Sequence, residues 1–373
     1  MKKIFPILVL AVLTSCKEYK ALMAEETKFN LEKKIMFNNE DKESFSVNIN
    51  GVEHNLFFDT GAGVTLINKP KFNLVQDRII KQKLIYGFDK KATSSSTTYS
   101  VDSINTSLFT TKNKYLYVSD IENIKNCSNQ KYDGILGNFF SEVDNEIELN
   151  YEKGFIEISS KPISKSGYVQ LESKFNSNTG KFSVKITVND ISDYFLFDTG
   201  NKTGIVLNEE IYKNLSKKTT TFSTLNSVVN NAIVKIKYDI YQGVFKLSDD
   251  LAFNQYFAID KTSRRSVLNQ QFIKKFNWII DKKNSKVYCK PINLNKLNSV
   301  YKVPSKKELS NVINNKILVT FCLEDESKYS VGDQIISINN QKITPENICE
   351  MQDFLNKTQD WSTLNLEVVP AIK

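Results

Sequence analysis

Two triplets of one composition, Asp59-Thr60-Gly61 and Asp198-Thr199-Gly200, stand 198 − 59 = 139 residues apart in a chain of 373. Two carboxyls brought together across a pseudo-twofold axis cannot both ionise comfortably, so such a pair shares one proton over a broad pH range. The ionised member can take a proton from a bound water while the protonated member donates to a carbonyl oxygen, and the water attacks the carbonyl carbon. That chemistry needs neither a covalent intermediate nor a metal, and no cofactor is expected. Other hydrolytic arrangements lack their parts. His54 is the only histidine, which nearly excludes a histidine-dependent serine or cysteine triad and a HExxH metal site. Its simplest place is an exposed sheet edge.

The elements that must position the aspartates repeat as well. Phe45-Ser46-Val47-Asn48-Ile49 runs through Asn50-Gly51 to Leu56-Phe57-Phe58-Asp59, and Phe182-Ser183-Val184-Lys185-Ile186 runs through Asn189-Asp190 to Phe195-Leu196-Phe197-Asp198. Alternating apolar residues around an Asn-Gly or Asn-Asp turn predict a β-hairpin with one buried face, so each triplet ends a strand. Thr65-Leu66-Ile67-Asn68 is answered by Ile205-Val206-Leu207-Asn208, and Asp133-Gly134-Ile135-Leu136-Gly137 by Ser266-Val267-Leu268-Asn269. Each of the latter precedes a helical turn and a terminal hairpin. A mainly β fold follows, with homologous lobes over 45–159 and 182–291. The connector, 160–181, is rich in Ser, Lys and Asn and has some extended structure. Residues 17–44 read as a charged tether, within which Phe29 to Phe37 can add a strand.

The duplicated Asp-Thr-Gly in matching hairpins resembles the pepsin-like and retropepsin-like aspartic peptidases, over both lobes. That resemblance implies two pseudo-twofold-related, closed-barrel-like acid-protease lobes and a polypeptide substrate, with Asp59 and Asp198 as the catalytic dyad. It also implies that Thr60 and Thr199 reach across to the opposite lobe's backbone. Gly61 and Gly200 would allow a tight turn and present N–H groups to the carboxylates. Ile135-Leu136 and Val267-Leu268 would lie behind those loops, with Gly137 permitting close approach. Asn269 departs from the pattern where Gly is usual, and is acceptable in so far as Asn tolerates left-handed backbone. A flap over the cleft is expected from the first lobe, in Leu84-Ile85-Tyr86-Gly87-Phe88, with Tyr86, Gly87 and Phe88 at its tip. Pepsin-like enzymes usually carry Ser or Thr after the triplet and retropepsins carry Ala; here Ala62 and Asn201 follow. A hydroxyl missing at Ala62 is expected to raise the pKa of the dyad. The alternative is the same fold with catalysis lost, a peptide-binding lipoprotein of the cell envelope.

The remaining regions suggest location and partners. Lys2 and Lys3 precede an apolar run from Ile4 to Leu13, and Leu13-Thr14-Ser15-Cys16 resembles a bacterial lipobox. Residues 1–16 are then a lipoprotein signal ending at a lipidated Cys16, which anchors the protein to a membrane outside the cytoplasm. Residues 300–373, with Tyr329-Ser330-Val331-Gly332-Asp333-Gln334-Ile335-Ile336-Ser337-Ile338-Asn339-Asn340, resemble a PDZ domain, which implies a peptide or protein ligand added to a sheet edge. The usual Gly-rich carboxylate-binding loop is not recognisable, and Lys316-Ile317-Leu318-Val319 is expected in its place. The catalytic unit should therefore end near Pro291, leaving the C-terminal domain dispensable for cleavage. Cys127, Cys289, Cys322 and Cys349 permit three pairings that sequence cannot distinguish. The formal charge of +8 is spread through alternating Lys and Glu, which suits a solvated surface and leaves no nucleic-acid partner.

Overall fold

Positive φ at Asn50 (49°) and Gly51 (87°), and again at Asn189 (44°) and Asp190 (70°), closes two tight hairpins. This turn geometry matches the right-handed twist of the flanking strands. The computed structural model describes residues 26–38, 44–86, 93–119, 124–125, 127, 132–176, 180–201, 205–208, 218–227, 233–260, 263, 265–299 and 306–371. The expected signal, Cys16 and the first part of the tether lie outside the described residues, as do Gly87 and Phe88.

The first half supplies β1 (Glu26–Phe29), β2 (Lys34–Met36), β3 (Ser44–Ile49), β4 (Val52–Asp59), β5 (Leu66–Asn68), β6 (Ile79–Tyr86), β7 (Thr93–Asn105), β8 (Phe109–Ser119), β9 (Ile124–Lys125), β10 (Gly134–Gly137), β11 (Glu146–Asn150) and β12 (Phe155–Ser159). β13 (Val169–Phe175) is the extended part of the connector. The second half supplies β14 (Phe182–Val188), β15 (Ile191–Asp198), β16 (Val206–Asn208), β17 (Lys218–Ser227), β18 (Ile233–Ser248), β19 (Leu251–Asp260), β20 (Val267–Asn269), a short helix α1 (Gln270–Ile273), β21 (Phe276–Asp281) and β22 (Lys286–Pro291).

In the first lobe β3, β4, β10, β5, β8 and β7 pair in that order, and β7 returns to β3 to close a barrel. β14, β15, β20, β16, β19 and β18 close a second barrel with parallel and antiparallel pairings in the same places. Closure removes the sheet edges that open β structures must protect. The alternation read in the sequence points inward: Phe45, Val47 and Ile49 in β3, and Phe182, Val184, Ile186 and Val188 in β14, are all buried.

Beneath the barrels an antiparallel sheet runs β2-β12-β11-β21-β22-β13. Its middle pairing joins the lobes, Ile147 opposite Ile280 and Leu149 opposite Trp278. One continuous apolar core serves both lobes and includes the fully buried Trp278. The indole N–H of Trp278 donates to the Ile273 carbonyl at 2.9 Å. The strand expected within Phe29 to Phe37 is β2, paired with β12, and β1, which ends at Phe29, pairs with β8 ahead of it.

The C-terminal unit contains β23 (Glu308–Ile313), β24 (Lys316–Leu323), β25 (Gln334–Ile338), β26 (Gln341–Lys342), helix α2 (Ile348–Lys357) and β27 (Leu366–Val369). Val312, Ile317, Val319, Ile335, Met351, Leu355 and Trp361 form a core of its own. Lys316-Ile317-Leu318-Val319, expected as a binding loop, is instead the start of β24, hydrogen-bonded to β23 and β25.

This unit is joined to both lobes. β24 pairs with β17 of the second lobe, where Phe321 and Leu323 pack with Phe222 and Tyr238. Burying a side chain of that size contributes roughly 1.5–3 kcal/mol. β23 pairs with β9 of the first lobe, and Cys127 is disulfide-bonded to Cys349 on α2. Cys289 and Cys322 are free and buried. Truncation after Pro291 would strip the edge of β17 and uncover Phe222 and Tyr238.

Candidate active site

Each triplet follows the strand that carries its aspartate into the barrel wall, and the parallel pairings beside it set its height. Asp59 lies opposite Gly137 in the β4–β10 pair, and Asp198 opposite Asn269 in the β15–β20 pair. The repeated apolar pair before each partner, Ile135-Leu136 and Val267-Leu268, is therefore registered against Phe57-Phe58 and Leu196-Phe197, the residues that precede the carboxyls.

The threonines lock the two loops. Thr60 Oγ1 donates to the Phe197 carbonyl at 2.9 Å and accepts from Thr199 N–H at 3.1 Å. Thr199 Oγ1 donates to the Phe58 carbonyl at 2.9 Å and accepts from Thr60 N–H at 3.0 Å. Both side chains are essentially inaccessible to solvent. Every buried donor and acceptor in this exchange is satisfied from the opposite lobe, so the relative position of the two triplets is over-determined.

Gly61 and Gly200 serve clearance rather than a left-handed turn, since neither has positive φ. A Cβ on Gly61 would lie 2.6 Å from Asp198 Cγ, and one on Gly200 would lie 2.2 Å from Asp59 Cγ. Each glycine admits the other lobe's carboxyl. Gly137 is required in the same way, since its Cβ would meet the Val64 carbonyl carbon at 2.4 Å. Its counterpart Asn269 is fully buried, with φ −100° and ψ 167°. That is extended backbone open to any residue, so tolerance of left-handed geometry is not what lets asparagine replace glycine here.

Asp59 and Asp198 are each half-buried and hydrogen-bonded to each other. Burial raises the pKa of Asp59, while the bond from Asp198 and backbone donors oppose the rise. Gly61 N–H and Ala62 N–H both donate to Asp59 Oδ1, at 2.7 and 3.0 Å. Burial, and then the charge of Asp59, push Asp198 up to about 8, against one donation from Gly200 N–H at 2.9 Å. The donors gathered on Asp59 favour its ionised form, and the shared proton resides on Asp198. Ala62 thus contributes through its backbone although its side chain has nothing to donate. Asn201 offers its carbonyl to Gln270 N–H at 3.0 Å, as Ala62 does to Asn138 N–H at 2.8 Å.

Two residues that sequence reading passed over support the dyad. Asn138 donates through Nδ2 to the carbonyls of Thr60 at 3.3 Å and Gly180 at 2.9 Å, tying the first triplet to the segment entering β14. Lys181 follows Gly180, and its ammonium lowers the pKa of both aspartates, opposing burial. The symmetry of the repeat offered a signal for neither. Their partners are 78 or 42 positions away for Asn138, and Lys181 sits outside the repeated motifs.

Other expected placements differ or stop short. His54 is buried, correcting the expectation of an exposed edge. Its ring packs 6.2 Å from Phe72, with Nδ1 4.0 Å from Asp133 Oδ2, and burial lowers its pKa against the pull of Asp133 and Glu53. The proposed flap strand is β6, antiparallel to β7, with Tyr86 opposite Thr93 at the last described pair.

Fold and site together define a mainly β protein, two like barrels meeting at paired Asp-Thr-Gly loops. No family model and no curated protein matches the chain. Among solved structures it is similar to the crystal structure of Basic 7S globulin from soybean, at 8% identity and TM-score 0.41, over 74% of this chain and 99% of that one.

Proposed function

We propose that the chain is an aspartic endopeptidase, cleaving polypeptides with a water activated between Asp59 and Asp198. One observation carries the reading: two hydrogen-bonded carboxyls sit at the meeting point of two lobes inside a complete threonine exchange. Asp59, ionised, takes a proton from the water as it attacks the scissile carbonyl. Asp198 gives its proton to the carbonyl oxygen; as the resulting gem-diol collapses, Asp59 passes its acquired proton to the leaving nitrogen and Asp198 recovers a proton from a gem-diol hydroxyl, which restores the starting state. The hairpin of β6 and β7 would cover the substrate. The direct test is incubation of the purified full-length protein with unfolded casein and a mixed peptide library, with and without a pepstatin-type inhibitor. Absence of cleavage at every pH from 3 to 8 would favour a peptide-binding role for the same fold.

The pH profile has a defined direction. Asp198 must be protonated to act as the acid, so activity is lost as pH rises through its pKa of about 8. Asp59 must be ionised to act as the base, and burial moves its titration above the ordinary aspartate range. We expect kcat/KM to be bell-shaped, with its maximum midway between the raised titration of Asp59 and that of Asp198 at about 8, measured with a quenched fluorescent peptide. Ala62→Ser adds a hydroxyl beside Asp59 and should move the acid limb down. Lys181→Met removes a nearby positive charge and should move both limbs up. A maximum below pH 3, or limbs unmoved by both substitutions, would sink this account.

The N-terminal residues support a location outside the cytoplasm, with lipidated Cys16 as the anchor. Cys16→Ala should release the protein from the membrane fraction. Retention of the variant in washed membranes would remove the anchor from the reading.

A further inference from the structure

Strand β8 runs along the first barrel with β7 on one edge and two short partners on the other. β1 holds that second edge up to Glu26 opposite Lys112, and β5 takes it up again with Leu66 opposite Tyr117. A cavity of about 160 Å³ lies beside Lys114 and Tyr115, between the ends of the two partners. Its apolar wall is Ile104, Phe109, Leu136 and Phe139, all buried, with the rings of Phe109 and Phe139 5.1 Å apart. An apolar space of this size holds a single ring or a branched aliphatic side chain.

Two opposite charges complete the lining. Lys114 and Glu142 face the cavity as an ion pair, Nζ to Oε1 at 2.8 Å, with side chains 22% and 30% exposed. An ion pair so open to water contributes little to folding, so parting it for a ligand costs little. The cavity also reaches the loop that follows Asp59, where Val64, Thr65, Gly137 and Asn138 line it. Gly137 N–H donates to Thr65 Oγ1 at 3.3 Å, and Asn138 N–H to the Ala62 carbonyl at 2.8 Å. The wall that an occupant would touch is therefore the one that holds the first triplet in place.

We propose that this cavity binds a free apolar α-amino acid, its side chain against Phe109 and Phe139, its carboxylate on Lys114 and its ammonium on Glu142. The charge pattern selects the zwitterion. One cation and one anion, already adjacent, exchange their mutual contact for two contacts of opposite sign, and the site stays neutral. A plain carboxylic acid would satisfy Lys114 but set its charge beside the Glu142 carboxylate, and a plain amine would meet the ammonium of Lys114 in the same way. The terminal residue of a longer peptide carries only one of the two charges and incurs the same repulsion. Side-chain choice follows from the wall, since a ring or branched chain fills the space between Ile104, Leu136 and the two phenylalanines, whereas glycine leaves it empty. The inference concerns the back of the first barrel and stands whether or not Asp59 and Asp198 cleave peptides.

Isothermal titration calorimetry on the full-length protein is the test, with L-phenylalanine and L-leucine as probes. Hydrocinnamate, L-phenylalaninamide and glycine lack the ammonium, the carboxylate and the side chain in turn. We expect a single site for the amino acids and at least about tenfold weaker binding of all three analogues. Lys114→Met and Glu142→Gln each remove one ionic contact and should weaken L-phenylalanine by at least about tenfold. Amide chemical-shift changes at Val64, Thr65 and Asn138 of the wild type locate the ligand should either variant fail to fold. Hydrocinnamate or L-phenylalaninamide binding as tightly as L-phenylalanine would overturn the proposal. No binding of either amino acid up to about 10 mM would overturn it too. So would an affinity that neither substitution weakens, or shift changes confined to other parts of the chain.

Discussion

Asp59→Asn and Asp198→Asn should each lower kcat by at least about 10³-fold while leaving a folded protein. The size of the effect follows from the division of labour. Asp59 collects two backbone N–H donors and holds the charge, whereas Asp198 keeps the proton under burial and the field of Asp59. An amide at position 59 cannot take a proton from water, and one at position 198 cannot pass a carboxyl proton to a carbonyl oxygen. Groups acting as one unit do not contribute additively, so the double substitution should be little worse than either single one. Single-turnover kinetics with a quenched peptide would check this. A single variant with near-wild-type turnover would remove that aspartate from the chemistry.

The same substitutions have a stability consequence of defined sign. Both carboxyls titrate above their ordinary value when folded, so the native state binds protons more tightly than the unfolded chain. The stability these groups contribute is present at low pH. It is lost as pH rises from the ordinary aspartate range through the folded pKa, about 8 for Asp198. Asp198→Asn removes that loss, and its Tm should fall less between pH 5 and 8 than that of the wild type. A variant that tracked the wild type across the interval would contradict the burial of this carboxyl.

Thr199→Val should be the most damaging conservative change outside the dyad, because it keeps the volume and removes only the hydroxyl. Thr60 N–H then loses its acceptor and the Phe58 carbonyl loses its donor, both in a solvent-free interface. A buried polar group left without a partner costs about 1–3 kcal/mol, so roughly 2–5 kcal/mol is expected for the pair. Thr60→Val should cost a similar amount by symmetry, through Thr199 N–H and the Phe197 carbonyl. Thr199→Ser retains the hydroxyl and should lose far less. Urea unfolding monitored by tryptophan fluorescence reports the difference, Trp278 lying in the core the lobes share. A change under about 0.5 kcal/mol for Thr199→Val would show that the exchange does not hold the lobes together.

The double barrel was legible because its determinants are local and occur twice. Asn50-Gly51 and Asn189-Asp190 accept the positive φ that tight hairpins require, and period-two alternation through Phe45 to Ile49 and Phe182 to Val188 assigns one face to the core. These features also place each aspartate at a strand end, and the threonine exchange follows once the two lobes meet. Duplication let each half check the other.

What the tertiary structure alone decided lies outside the repeat or depends on distant partners. Four cysteines carried no information on pairing; the fold selects Cys127 and Cys349 by bringing β9 against β23 and leaves Cys289 and Cys322 buried apart. His54 occupies a position in β4 that the hairpin pattern left polar, yet Phe72 and Asp133, from other segments, enclose it. Lys181 and Asn138 act on the dyad across the lobe junction, which no local pattern encodes. The C-terminal unit read as separable because its own core is complete in sequence, whereas its attachment depends on strand edges of β17 and β9. Strand-edge pairing runs through backbone groups that every residue carries. The sequence by itself therefore determined which strands form and which carboxyls face one another, and only the assembled chain decided which edges meet.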